Sequence, residues 1–269
     1  MRASAPAKIN LGLVVGPVRD DGKHEVVTVY QRVGLADRID VDEAGGLTIE
    51  GFAGDTIVRT ALELLAERAG VEPRWRVRIE KRLPVAAGLG GGSSDAATAL
   101  RLANQTTDLD GDALHDVAVR VGADVPFFLR EGPQLGSGDG TTLAPLDLPQ
   151  DFWIVLLLPN GARKESTRAV YAAFDARGGA DGWEERAASL REVLARVRRP
   201  RDLAALPPND LARSSLVDEL RASGAFHADV SGAGPTVYGL FHHRADAERA
   251  RKELRSRGRT WLTAPAWYG

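Results

Sequence analysis

Residues 88 to 95, Gly-Leu-Gly-Gly-Gly-Ser-Ser-Asp, put four glycines into five positions and follow them with two hydroxyls and a carboxylate. Without Cβ atoms in the way, backbone N–H groups can approach a ligand closely, and a helix starting there adds the positive end of its dipole. Such a loop suits a phosphate group. It lacks the lysine of a Gly-x-x-x-x-Gly-Lys-Ser/Thr loop, and counted from Gly88 the third glycine of a dinucleotide fingerprint is replaced by Ser93. A different kind of phosphate loop is implied. The plainer alternative is a surface turn closed by a Ser-Ser-Asp helix cap; the specific order of residues favours phosphate.

Two further groups supply charge that phosphate chemistry can use. Lys8 and Asn10 alternate with Ile9, Leu11, Leu13 and Val15, so strand geometry puts Lys8 and Asn10 side by side on one face and the four apolar residues on the other. Asp124 stands in Gly122-Ala123-Asp124-Val125-Pro126-Phe127, just before a proline-containing turn. A solvated edge-strand lysine and a turn cap are the respective structural alternatives. The histidines at 24, 115, 227, 242 and 243 show no ligand spacing with carboxylates, and there is no cysteine. Disulfides and thiolate chemistry are excluded, and no metal site built from protein side chains is expected.

The elements that must hold these groups mix strand and helix throughout. After the alternation at 8–15 and an Asp20-Asp21-Gly22 turn come β-rich stretches at 26–33, 39–41 and 47–49. Apolar positions 57, 58, 61, 62, 65 and 69 follow helical spacing from a cap at Asp55 to a stop at Gly70. Residues 74–80 alternate again, an alanine-rich helix runs from the glycine loop to Asn104, and a short helix at 114–121 leads to Asp124. A Gly/Ser/Asp/Pro-rich stretch at 132–149 precedes a buried strand at 152–158. Helices at 166–177, 183–198 and 244–257 and a hairpin around 230–238 complete the chain.

At 269 residues, with 43% hydrophobic and 27% charged residues, the chain can bury a core and is long enough for two modest domains. Thirty-five basic residues against 37 acidic leave a net charge of −2, so no positive excess exists to hold nucleic acid or an anionic membrane. The seven-residue apolar run at 152–158 falls short of a membrane span, and Lys8 and Asn10 interrupt any secretory signal core. A cytoplasmic protein is expected.

Pro84 to Leu100, PVAAGLGGGSSDAATAL, resembles the second motif of the GHMP kinases, the family of galactokinase, homoserine kinase and mevalonate kinase. Three other blocks agree in the right order: Ala5-Pro6-Ala7-Lys8-Ile9-Asn10-Leu11 followed by Asp21-Gly22-Lys23-His24-Glu25, the Gly122 to Phe128 segment, and Ser231-Gly232-Ala233-Gly234-Pro235-Thr236-Val237. Within the family the chain is most similar to the branch whose acceptor is a cytidine diphosphate-linked polyol of the non-mevalonate isoprenoid route. The resemblance implies a two-domain α/β (α+β) fold, with a half like the second domain of ribosomal protein S5 (1–148) and a ferredoxin-like half (149–269) meeting at the active site. ATP, with Mg²⁺, would lie along Pro84, Val85, Ala86, Ala87, Gly88, Leu89, Gly90, Gly91, Gly92, Ser93 and Ser94, with Asp55 near the adenine. Asp124 would be the general base, and Lys8 its cationic partner. Asn10, His24, Tyr30, Tyr171, Gly232 and Gly234 would contact the acceptor, His24 bonding the cytosine and the two tyrosines stacking on it. Two positions depart from the pattern: Lys23 replaces an aromatic, and Asp55 replaces an asparagine. Another GHMP kinase acting on homoserine, mevalonate or a sugar, or a catalytically silent binding protein of the same fold, are the alternatives. Retention of both Lys8 and Asp124 argues against the silent one.

Overall fold

The computed structural model of the chain describes residues 1–162 and 166–267. β1 (Arg2–Val18) folds back through the Asp20-Asp21-Gly22 turn onto β2 (His24–Glu43), and the two pair antiparallel over nearly their whole lengths. The stretches at 26–33 and 39–41 belong to this single long strand, because β1 continues past the polar interval between them, pairing Pro6 with Ala36 and Ala5 with Asp37. β3 (Thr48–Glu50) lies parallel to β4 (Trp75–Glu80). The second edge of β2 is shared by β4, at residues 38–43, and β5 (Gln134–Ser137), at residues 28–30; β6 (Thr142–Pro145) pairs with β5.

The register of β1 shifts between Asn10 and Gly12, and this corrects the expected alternation. A bulge inserts one residue and so inverts the phase of everything beyond it. Ile9 and Leu11 pack with Val14 in one cluster, whereas Leu13 and Val15 turn to another with Val170 and Phe174.

Four helices cover one face of this sheet: α1 (Ile57–Ala69), α2 (Gly91–Thr107), α3 (Gly111–Val121) and the single turn α4 (Val125–Phe128). Gly70 closes α1 in the left-handed conformation at φ 68°, as its sequence position demands. The cap residue itself is Thr56, one position later than expected, although the Asp55 carboxylate still accepts from Val58 N–H at 3.0 Å.

The remaining chain builds a second, antiparallel sheet from β7 (Trp153–Pro159), β8 (His227–Val230), β9 (Val237–Phe241) and β10 (Gly258–Thr263), in the order β10-β7-β9-β8. Its helices are α5 (Thr167–Ala176), α6 (Trp183–Arg196), α7 (Leu216–Ala222) and α8 (Arg244–Glu253). Alternate residues of β7 serve two cores. Val155 and Leu157 pack with Leu220 and Ala247, while Ile154 and Leu156 join Ile9, Leu11, Val29 and Leu190 of α6. The two sheets therefore share one continuous apolar cluster, which fixes the cleft between them. Among the described residues no helix is long and apolar enough to cross a membrane.

One buried group in the second sheet makes stability depend on pH. His227, 3.2 Å from the Tyr238 hydroxyl, has its imidazole pKa pushed down from 6.5 to about 4 by burial, with Arg221 adding to the effect. Between those values the unfolded chain binds the extra proton. The stabilisation is complete above the unfolded pKa and is lost as the pH falls toward 4, by on the order of 3 kcal/mol. Urea unfolding of the wild type and His227→Asn from pH 7 to 4 should show this loss in the wild type only; equal slopes would contradict it.

Candidate active site

Two glycine loops meet at the cleft with no room for side chains between them. Gly88 has φ 78°, and a Cβ there would stand 2.6 Å from Ser231 O and 2.7 Å from Gly234 O. The Ser231 hydroxyl donates to Gly88 O at 2.9 Å and Thr236 N–H to Ala87 O at 3.3 Å. Gly90, at φ 68°, gives way to the Lys8 stem and the Phe128 ring, each 3.0 Å from where its Cβ would be. α2 begins one residue later, so its first N–H groups open beside the loop. Together these elements wall a cavity of about 940 Å³. Pro84 to Ser93 line it continuously, and so do Asp55, Lys8, Asn10, His24, Tyr30, Asp124, Tyr171, Gly232 and Gly234. Ser94 lies behind this wall, fully buried, its hydroxyl without a hydrogen-bond partner.

At the junction of the loops, Lys8 is only 4% exposed. Its Nζ donates to Asn10 Oδ1 at 2.6 Å and stands 3.4 Å from Asp124 Oδ2. Asn10 is held in turn by Thr28, whose Oγ1 accepts from the Asn10 amide at 2.7 Å and donates to Gly12 O at 2.9 Å. The amide orientation of Asn10 is thereby set, leaving its oxygen for Lys8. Lys8 is therefore not a solvated edge lysine, and Asp124, as the residue before α4, makes no cap bond with its side chain. Tyr30 lies beneath this pair, stacked on Phe127 at 4.9 Å, with Lys8 Nζ 5.5 Å from its ring centre. Burial, then the neighbouring Asp124 carboxylate, push the Tyr30 phenol well above its usual pKa.

A second lobe forms around His24. Its ring lies 4.6 Å from Tyr171 and its Nε2 is 2.8 Å from Asp175 Oδ1. The structure thus sets Tyr171 against His24 and places Tyr30 beside the Lys8–Asp124 pair on the wall of the same cavity. Asp175 escaped the sequence reading, although its i+4 spacing from Tyr171 on α5 is a signal that could have found it. Lys23 pairs with Asp139 at the same rim, 55% exposed.

On the opposite side of the loop, Lys81 bonds Asp37 and, at 2.8 Å, Asp95 of α2. Burial pushes the Asp95 carboxyl up to about 7 against the pull of Lys81, and Asp37 adds to the rise. Asp95 Oδ1 is buried with no partner. Lys81, Asp95 and Asp55 all line the cavity, and Lys81 lies over the Phe52 ring at 5.7 Å. The sequence reading missed Lys81 and Asp37, whose meeting depends on the β2–β4 pairing.

Comparison with known proteins agrees with this geometry. The GHMP kinases N terminal domain matches residues 56–132 and the GHMP kinases C terminal domain residues 214–260. A 4-diphosphocytidyl-2-C-methyl-D-erythritol kinase from Anaeromyxobacter sp. (strain Fw109-5) is 38% identical, over 94% of this chain and 86% of that protein. The chain belongs to the 4-diphosphocytidyl-2-C-methyl-D-erythritol kinase family of the GHMP kinases. A crystal structure of 4-(cytidine 5'-diphospho)-2C-methyl-D-erythritol kinase superposes with TM-score 0.79 at 36% identity, covering 99% of both chains. The Methanococcus jannaschii mevalonate kinase, at TM-score 0.77 and 13% identity over 99% of this chain and 98% of that one, shares the fold. Membership of the GHMP kinases implies that the protein uses ATP.

The contact of the two loops should govern nucleotide binding. Gly88→Ala puts a methyl group against two backbone carbonyls at a φ that L-residues avoid, so ATP binding measured by calorimetry should weaken at least about tenfold. Gly45→Ala, where a Cβ meets nothing within 4 Å, should bind as the wild type does. Unchanged ATP affinity in Gly88→Ala would contradict this role for the loop contact.

Proposed function

We propose that the protein transfers the γ-phosphoryl group of ATP to the 2-hydroxyl of 4-diphosphocytidyl-2-C-methyl-D-erythritol, giving the 2-phosphate and ADP. The observation that carries this reading is the Lys8–Asp124 pair at 3.4 Å, set where both glycine loops converge on one cavity. Residues 1–148 and 149–269 act as two domains, and the reaction takes place in the cytoplasm, where ATP is available.

The division of labour follows from the chemistry. Phosphoryl transfer passes through a loose transition state whose charge sits on the equatorial oxygens, so the protein must align the hydroxyl and supply positive charge. Asp124 accepts the proton of the acceptor hydroxyl. Lys8, held by Asn10, neutralises the transferring group. The N–H groups of residues 88–93 and the start of α2 receive the ATP phosphates, with Asp55 and Lys81 toward the nucleoside side. Tyr171 offers a stacking face to cytosine, and His24, whose Nε2 is engaged by Asp175, keeps Nδ1 for the base. Lys23, which stands where the family pattern has an aromatic, is instead paired with Asp139 at the rim.

Mg²⁺ fits the donors present. Ser93, on the cavity wall, and Asp95, with its unpartnered oxygen, would hold the ion as hard oxygen donors. When bound, the ion would neutralise negative charge on the transferring phosphoryl group.

A coupled ADP-release assay with the cytidine-linked acceptor, mevalonate and homoserine side by side tests the reading. Turnover with the first is expected; turnover only with one of the others would overturn it. Asp124→Asn should lower kcat about 10²- to 10⁴-fold while the protein stays folded and binds ATP, and near-full kcat would remove Asp124 as the base.

A further inference from the structure

Arg32 is the largest of the fully buried side chains, at 2% exposure, and every hydrogen bond described for it goes to a backbone carbonyl. Nη2 donates to Phe128 O at 3.2 Å and Arg130 O at 2.8 Å, and Nη1 donates to Trp267 O at 2.7 Å. The guanidinium also lies 5.3 Å from the Phe127 ring centre. A buried charge is costly unless its donors are well matched. Burial accordingly pushes the guanidinium pKa down to about 10, which leaves it charged at neutral pH.

Its position explains the expense. Arg32 is directly opposite Lys8 in the β1–β2 register, and opposite residues of an antiparallel pair project from the same face. From that shared face, the two side chains grip different ends of one short segment. Lys8 meets Asp124, the residue that opens α4; Arg32 meets the carbonyls of Phe128, which ends it, and of Arg130 just beyond. A single helical turn has too few internal hydrogen bonds to hold itself, and the carbonyls at its end need outside donors. The third carbonyl brings in the segment after β10. Residues 264–267 are stitched to β2 and to the stretch after α4 by Gly34 N–H to Ala264 O at 3.0 Å, Ala266 N–H to Arg32 O at 2.9 Å and Gly132 N–H to Trp267 O at 3.0 Å. The Trp267 ring fills the space beside Gly132, 3.0 Å from where a Cβ would stand.

We propose that Arg32 is a positioning residue for phosphoryl transfer: its guanidinium ties segment 264–267 to the end of α4 and so holds Asp124 at working distance from Lys8. The proposal rests on the reading of Asp124 as the proton acceptor. A planar fork aims donors from two separate nitrogens at carbonyls that lie apart, whereas the three donors of a lysine radiate from one nitrogen and cover a smaller span.

The test combines steady-state ADP release with hydrogen exchange followed by mass spectrometry on the wild type, Arg32→Met and Arg32→Lys. In Arg32→Met, kcat should fall at least tenfold while KM for ATP and for the acceptor changes less than threefold. Exchange should rise at 124–132 and 264–267 and stay unchanged in β7 and β9. Arg32→Lys should recover part of both. Wild-type kcat in a folded Arg32→Met, or faster exchange spread evenly through β7 and β9, would overturn the proposal. If Arg32→Met does not fold, Arg32→Lys decides: a lowered kcat with local exchange supports the role, and wild-type values for both overturn it. Should the wild type release no ADP, the kinase reading fails, and the exchange comparison still shows whether Arg32 holds the segment.

Discussion

Burying the Lys8 ammonium is the constraint on which the rest of the site depends. At 4% exposure it has exchanged water for a few oxygens that must be brought to it, Asn10 at 2.6 Å and Asp124 at 3.4 Å. Each requirement reaches outward. Asn10 needs Thr28 to hold its amide, and that contact spans the β1–β2 ladder at its bulge. Asp124 needs a turn anchored against the sheet, and the stem of Lys8 needs Gly90 to have no side chain. The same backbone that lets Lys8 pass also bends the loop toward Ser231 and Gly234 of the other glycine loop. A cation, a carboxylate and two glycine loops therefore share the wall of one cavity because none can be placed without the others.

With a net charge of −2, the molecule as a whole does not attract its anionic substrates. Attraction has to be local, and it is built in layers. Lys8 sits at the loop junction, the backbone N–H groups of the glycine loop and α2 lie along one wall, and Lys81 stands on the opposite side of that loop. Lys81 is shared by Asp37 and Asp95, and these carboxylates raise its pKa against the effect of burial. Part of its charge is thus spent within the protein. Among the described residues Lys8 has one carboxylate partner, and that partner is the group proposed to take the proton.

Much of this could be read from the order of residues, and the limits have physical causes. Helix and strand periodicity located α1, α2, α3, β4 and β7 closely, because burial on one face imposes a repeat on the sequence. The glycine loops were legible since a missing Cβ is itself the signal. Lys8 and Asn10 were paired correctly by strand alternation, but the same alternation failed after Gly12, where a bulge reverses the faces without any mark in residue type. Tyr30, expected to stack on the nucleobase, packs on Phe127 close to both Asp124 and Tyr171; that position depends on the register of β2, which its immediate neighbours do not reveal. Partners that meet across long sequence separations, such as Lys81 with Asp37 and Arg32 with Trp267, leave no local pattern. The fold is encoded largely in short-range repeats, whereas the finer geometry of the site is encoded in which distant elements pair.

The central claim is that Lys8 and Asp124 act as one unit. A double-mutant cycle on kcat/KM for ADP release, using Lys8→Met, Asp124→Asn and the double variant, measures this most directly. If the account is right, the double variant will be about as slow as the slower single variant, because either change alone disables the pair. Losses that multiply, each change costing the same factor whether or not the other is present, would contradict it.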